Sequence, residues 1–306
     1  QVIGILCAFF GTFLALKYLS SMLPKDAGRE FAHDGKKSAG KPRGAGLIFI
    51  LAFGIVAVLF GKLNWEILIY LVLTMASMLT GYLDDASKNP WGEFKKGALD
   101  LLIACLVAGT YLAFNGSEIF INVLGESISL NPIVFFILAV ILVWVSINVT
   151  NCTDGVDGLS GTLSVITLFT IYLLESVKGT NSAINYITLI LIACVLAYLW
   201  FNATPSKLMM GDAGSRALGI FISIAILKTG SPLLYIPVAL MLIIDGGLGL
   251  LKISFRRFLK IEILNNVRTP IHDHVRKKNE WSNTQVVFRF AIIQIIVSFC
   301  VIYLIK

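Results

Sequence analysis

Ten apolar stretches, at roughly 1–19, 47–60, 65–80, 98–114, 131–149, 159–176, 183–201, 216–229, 232–254 and 284–305, recur along the 306 residues. A bilayer core about 30 Å thick is crossed by about 20 apolar residues of helix, so runs of this kind are membrane spans. Composition agrees. Hydrophobic residues make up 57% of the chain, charged residues only 14%, and mean hydropathy is +0.84. A soluble domain carries about a quarter charged residues. The expected fold is therefore an all-α polytopic membrane protein of about ten transmembrane helices, in one domain over 1–306. The shortest stretches need residues from their flanks or a locally thinned bilayer. The first stretch lacks a basic leader and a small-residue cleavage site, and reads as a retained helix. Cys7, Cys105, Cys152, Cys194 and Cys300 show no ligand spacing and read as small hydrophobes.

Charge sets the orientation. Of the 25 Lys and Arg, all but Lys62, Lys178, Lys228 and Lys306 lie in or beside the segments 20–46, 81–97, 150–158, 202–215 and 255–283. The positive-inside rule places that set in the cytoplasm and both termini outside. The net charge of +7 is thus a topology signal, not a nucleic-acid footprint, and suits anionic membrane lipids. The outer segment 115–130 has the turn residues of a small hairpin.

The acids gather on the inner face. Asp84 and Asp85 follow the third stretch; Asp154 and Asp157 lie in Asn148-Val149-Thr150-Asn151-Cys152-Thr153-Asp154-Gly155-Val156-Asp157-Gly158; Asp212 lies in Met210-Gly211-Asp212-Ala213-Gly214-Ser215. Any one of them is a reasonable helix cap. As a group, from three segments at one depth, they describe a site. Adjacent carboxylates repel, and Mg²⁺, a hard cation that rides on one or two carboxylates plus phosphate, removes that cost. Gly155, Gly158, Gly211 and Gly214 allow phosphate or metal to approach main-chain N–H groups. Asp245, inside the ninth stretch beside Gly246 and Gly247, is an intramembrane acid and so a functional suspect, with a helix break expected there.

Basic residues complete the pattern. Lys88 stands one helical turn after Asp84, placed for an ion pair or for a phosphoryl oxygen. The segment Lys36 to Gly46 holds Lys36, Lys37, Lys41 and Arg43 among glycines, as a solvated loop or a phosphate contact, but lacks the nucleotide P-loop pattern. His272 and His274 flank Asp273 after Pro270; in an extended stretch both would face one side, to ligate a metal, to pair with other loop residues or, the preferred reading, to bind pyrophosphate.

These motifs together resemble the polyprenyl-phosphate N-acetylhexosamine-1-phosphate transferases over nearly the whole chain. The family's Asp-Asp-x-x-Lys motif matches Asp84, Asp85 and Lys88, and its asparagine-aspartate block matches Asn148 through Gly158 with Cys152 and Val156 in place of leucines. Its Phe-Met-Gly-Asp-x-Gly-Ser block matches Met209 through Ser215, with Met209 where phenylalanine is usual, and its histidine segment loosely matches Pro270 through Lys277. The run from Trp281 to Phe290 is similar to the muramoyl-pentapeptide branch. Three departures stand out: Asp273 at the usual middle histidine, Val275 and Arg276 at the usual Phe-Glu, and Arg216 where leucine is common.

The resemblance implies an Mg²⁺-dependent transfer from UDP-N-acetylmuramoyl-pentapeptide to undecaprenyl phosphate, on the cytoplasmic side of a bacterial cell membrane. It implies Asp84, Asp85 and Asp212 as catalytic and metal-binding residues. It implies Lys88, Asn148, Asn151, Asp154, Asp157, Gly211, His272 and His274 as substrate contacts, and often a homodimer. Direct attack by the lipid phosphate is preferred over an aspartyl phospho-enzyme. Transfer of N-acetylglucosamine-1-phosphate is the alternative within the family, and a transporter the alternative outside it.

Overall fold

A computed structural model describes residues 1–26, 28, 38–87, 89, 91–179 and 182–305. The apolar stretches all become helices: α1 (Val2–Leu19), α2 (Gly46–Phe60), α3 (Trp65–Asp85), α4 (Glu93–Asn115), α5 (Pro132–Thr153), α6 (Leu159–Val177), α7 (Ala183–Asn202), α8 (Gly211–Lys228), a broken pair (Pro232–Val238 and Leu240–Leu259) and a last helix, Asn283–Ile305. Seven helices among the described residues are long and apolar enough to cross a membrane, eight if the broken pair is one span. With 15 residues, α2 falls short by itself, and α8 carries three charged side chains. Glu118–Ile121 and Glu126–Ser129 pair antiparallel as the expected hairpin.

Helix α8 is the axis of the bundle. Every residue from Gly211 to Leu227 is buried, and α2, α3, α5, α6 and α7 surround it. The outer helices reverse the arrangement of a soluble protein: Val2, Ile3, Leu6, Phe10 and Leu14 of α1 are exposed on the periphery. A solvent that accepts such a surface is lipid.

The ninth stretch breaks earlier than its glycines suggest. Its two halves meet at 71° at Ala239, just after Pro237, a residue with no N–H to give a helix. Backbone groups freed in an apolar interior need partners. Gln294 of the last helix supplies two: its Oε1 accepts the Met241 N–H at 2.9 Å and its Nε2 donates to the Pro237 carbonyl at 3.1 Å. Thr167 Oγ1 donates to the Val238 carbonyl at 2.9 Å. Gly246 and Gly247 instead lie in a wide π-helical turn, Ile243–Gly247, that carries Asp245. There Gly246 rests directly on the backbone of Val149 in α5, where a Cβ would collide.

Candidate active site

The polar end of the bundle is assembled around the N-terminus of α8. Backbone pairing brings the pieces together. Pro42 accepts from the Met209 N–H (2.9 Å), and the Ala45 and Gly46 N–H groups donate to the carbonyls of Met209 and Met210 (3.0 Å each). Pro24 accepts from the Arg43 N–H at 2.8 Å. Gly81 of α3 packs against the Asp212 backbone with no room for a side chain. The last turn of α3 therefore meets the first turn of α8. Asp84 and Asp85 lie inside that last turn, not in the loop beyond it.

The three aspartates converge through two shared cations. Arg43 reaches Asp85 (Nε to Oδ1, 2.9 Å), Asp26 (3.6 Å) and Asp212 (3.7 Å). Lys96, near the start of α4, bridges Asp212 (3.1 Å) and Asp84. Asp85 also accepts the Ala213 N–H at 3.1 Å, satisfying an orphan donor in the first turn of α8. Gly211, at φ +67°, leaves space that the Asp85 carboxylate fills. Burial works to lower the pKa of Arg43. The carboxylates of Asp85, Asp212, Asp26 and Asp154 outweigh it and hold the guanidinium above its ordinary value.

Neighbouring residues form an outer ring. Asn151 donates to Ser215 Oγ at 2.9 Å. Asp157 accepts the Ser206 N–H at 3.0 Å and lies 3.9 Å from Lys41 Nζ, which also donates to Ser206 Oγ. The N-cap of α6 is Gly158, which starts the helix in a left-handed conformation and brings no side-chain cap of its own.

The histidine segment differs from the extended expectation. Residues Ile271–Lys278 form a helix, which turns His272 and His274 about 200° apart. His272 is buried; Asp245 takes its backbone N–H and its Nδ1, and its Nε2 lies against Gly155. His274 Nδ1 accepts the Arg268 N–H at 3.1 Å and does not join the acid cluster. Asn148 donates back to Trp144 of its own helix at 2.8 Å. Asp273, in place of the family's middle histidine, faces Arg276 (3.5 Å) and Arg268 (3.8 Å). Lys88, Lys36 and Lys37 lie outside the described residues.

Lys96 and Asp100 escape the sequence reading, and Arg216 enters it only as a departure from the family's usual leucine. Asp100 is the single charge of the apolar run 98–114, the signal that marks functional groups in membrane helices.

Among the described residues no three His, Cys, Asp or Glu side chains form a ready metal cage, because Lys96 and Arg43 lie between the aspartates. The donor chemistry still suits Mg²⁺, which needs only one or two carboxylates when phosphate supplies the rest. Asp85 Oδ1 is buried and ion-paired with Arg43 Nε at 2.9 Å, outside hydrogen-bond alignment, so a lone pair of this oxygen remains for a cation.

A model of glycosyl transferase family 4 matches residues 67–230, more than half of the chain, including Asp84, Asp85, Lys96 and Asp212. The chain is 39% identical to a phospho-N-acetylmuramoyl-pentapeptide-transferase of Treponema pallidum, over 95% of this chain and 85% of that protein. It is 26% identical to proteins of the same name from Helicobacter pylori (96% and 90% covered) and Wolbachia pipientis (84% and 82% covered).

Proposed function

Since the chain belongs to glycosyl transferase family 4, alongside the phospho-N-acetylmuramoyl-pentapeptide-transferases, we propose that it moves phospho-N-acetylmuramoyl-pentapeptide from its UDP carrier to undecaprenyl phosphate in peptidoglycan synthesis. The observation that carries this reading is the convergence of Asp84, Asp85 and Asp212 on Arg43 and Lys96 at one end of an apolar bundle. A charged nucleotide from water and a phosphate on a lipid can meet only at such an end. We further propose ten spans, counting α2, α8 and the broken pair, in a bacterial cell membrane, with this end cytoplasmic and both termini outside.

In the reaction an oxygen of the lipid phosphate attacks the sugar-bearing phosphorus, and the bond from that phosphorus to the bridging oxygen breaks. The electron pair leaves on UMP, and the product is a lipid-linked pyrophosphate. A phosphate monoester with a second pKa of about 6 is largely ionised at neutral pH and needs little help from a base. Direct attack without an aspartyl intermediate follows. Asp212, with Asp84 or Asp85, would hold Mg²⁺, which when bound neutralises charge on the pyrophosphate and orients it. Arg43 and Lys96 swing their donors from carboxylate to phosphate oxygens, a favourable exchange because both are charge-assisted contacts. Asp157 and Asn151 line the nucleotide side, and His272 presents Nε2 toward the pyrophosphate.

The test is release of UMP by the purified chain, offered undecaprenyl phosphate, Mg²⁺ and either UDP-N-acetylmuramoyl-pentapeptide or UDP-N-acetylglucosamine. Release with the muramoyl donor alone is expected. Release only with the other donor overturns the branch, and flux across liposomes without chemical change overturns the enzyme. Full turnover of Asp212→Asn at saturating Mg²⁺ removes the metal assignment, and a trapped sugar-phosphoryl aspartate removes direct attack.

A further inference from the structure

Behind the site lies a second pair of opposite charges, both almost fully buried. Asp100 of α4 is 3% exposed and Arg216 of α8 is 2% exposed. Arg216 Nε donates to Asp100 Oδ1 at 3.1 Å, and its Nη2 contacts the same oxygen. That Nη2 also donates to the Lys96 carbonyl at 3.2 Å.

The spacing gives the arrangement its meaning. Lys96 and Asp100 are one helical turn apart on α4, and Asp212 and Arg216 are one turn apart on α8. The two helices thus face each other with reciprocal charges, Lys96 to Asp212 in the site and Asp100 to Arg216 beneath it. Sliding either helix by one turn would set like charges opposite each other. A buried ion pair is a poor way to gain stability, because apolar side chains of similar volume commonly do as well or better. Arg216 Nη1 is moreover buried without a hydrogen-bond partner, a further cost. What a buried pair does well is fix register.

We propose that Asp100 and Arg216 are positioning residues: they lock α4 against α8 and, through the Lys96 carbonyl, hold the Lys96 ammonium between Asp84 and Asp212 where the transferred phosphoryl group passes. The proposal rests on the reading of the site given above. It accounts for arginine at a position where leucine is common in the family, since arginine there requires its acid on α4.

The decisive variant replaces both charges, Asp100→Leu with Arg216→Leu, so that no buried charge is left uncompensated. In the purified full-length chain it should keep the thermal midpoint of the parent. Its kcat for UMP release should fall by about tenfold to a hundredfold, the range that misplacing a reacting group by an ångström produces, with KM for both substrates little changed. Arg216→Lys, which keeps the charge and loses the fork, should fall between. A second readout needs no turnover. The rate at which an amine-specific reagent labels Lys96, relative to Lys95 in the same molecule, should rise several-fold in the double-leucine variant, with roughly threefold corresponding to a mere 0.6 kcal/mol of lost restraint. Parent-like Lys96 labelling in a folded double variant overturns the proposal, as does a parent-like kcat. If the parent itself releases no UMP, the proposed function fails, and the labelling ratio still decides whether the pair positions Lys96.

Discussion

Asp245 accepts two hydrogen bonds from His272, the backbone N–H at 2.7 Å and ring Nδ1 at 2.8 Å. A carboxylate can only accept, so it fixes the proton on Nδ1 and turns Nε2 toward Gly155, 4.0 Å from Asp273 Oδ1. The intramembrane acid is thus an orienting group for the histidine. Asp245→Asn and His272→Gln should each slow UMP release roughly thirtyfold, the equivalent of about 2 kcal/mol for a charge-assisted hydrogen bond. Because the two act through one another, the double variant should be no slower than His272→Gln alone. Multiplying losses in a four-member kinetic cycle would show that they work separately.

Gly211→Ala tests how closely α3 and α8 must meet. A Cβ at φ +67° costs about 1–2 kcal/mol in backbone strain, and here it would also drive into the Asp85 carboxylate. Displacing Asp85 moves Arg43 with it, so turnover should fall by about a hundredfold. Gly97→Ala in α4, where an added Cβ meets nothing within 4 Å, is the control. It should gain up to about 1 kcal/mol from helix propensity and keep full turnover. Equal kcat values for the two variants would contradict the geometry.

The helices were legible because their signal is one-dimensional. Lipid demands long apolar runs, and all ten runs coincide with helices to within a few residues at most boundaries. The acid motifs were legible for a related reason, since carboxylates at a membrane edge are too costly to be incidental. Lys96 was not, because a lysine at a span boundary is ordinary; only the folded proximity of α3, α4 and α8 shows that it bridges Asp84 and Asp212. His272 and His274 misled through local conformation. The proline before them suggests extended chain, and Pro270 is itself extended, but it stands as the N-cap of a helix that begins at the next residue, Ile271. The partner of His272 lies 27 residues away in a π-helical turn that no period in the sequence announces.

At the opposite end of α8, Lys228 Nζ donates to both oxygens of Glu66 (2.9 Å each) and to Asn115 Oδ1 (2.7 Å), while Asn115 and Tyr70 donate to Glu66 Oε1. Lys228→Met strands a buried carboxylate and should cost about 3 kcal/mol, seen as a lower thermal midpoint in detergent. Adding Glu66→Gln should recover most of it. UMP release per folded molecule should not change in either variant; a fall in kcat would mean that this end communicates with the site.

Gln294 offers the last test, of how the broken helix is held. Its side chain is fully buried in the last helix and joins both ends of the break, Met241 N–H and Pro237 carbonyl. Gln294→Leu fits the volume approximately and strands both backbone groups, which should destabilise the fold by about 2–6 kcal/mol at 1–3 kcal/mol for each orphan. The consequence should extend to catalysis. The π-helical turn that aims Asp245 begins at Ile243, two residues past Met241. A break that wanders moves Asp245 and, through it, His272. Turnover per folded molecule should therefore fall as well, and the loss should be small when His272→Gln is already present, since the histidine is the route by which the break reaches the chemistry. An undiminished thermal midpoint in Gln294→Leu would mean that Pro237 alone sets the bend, and an undiminished kcat that Asp245 is held by its own turn.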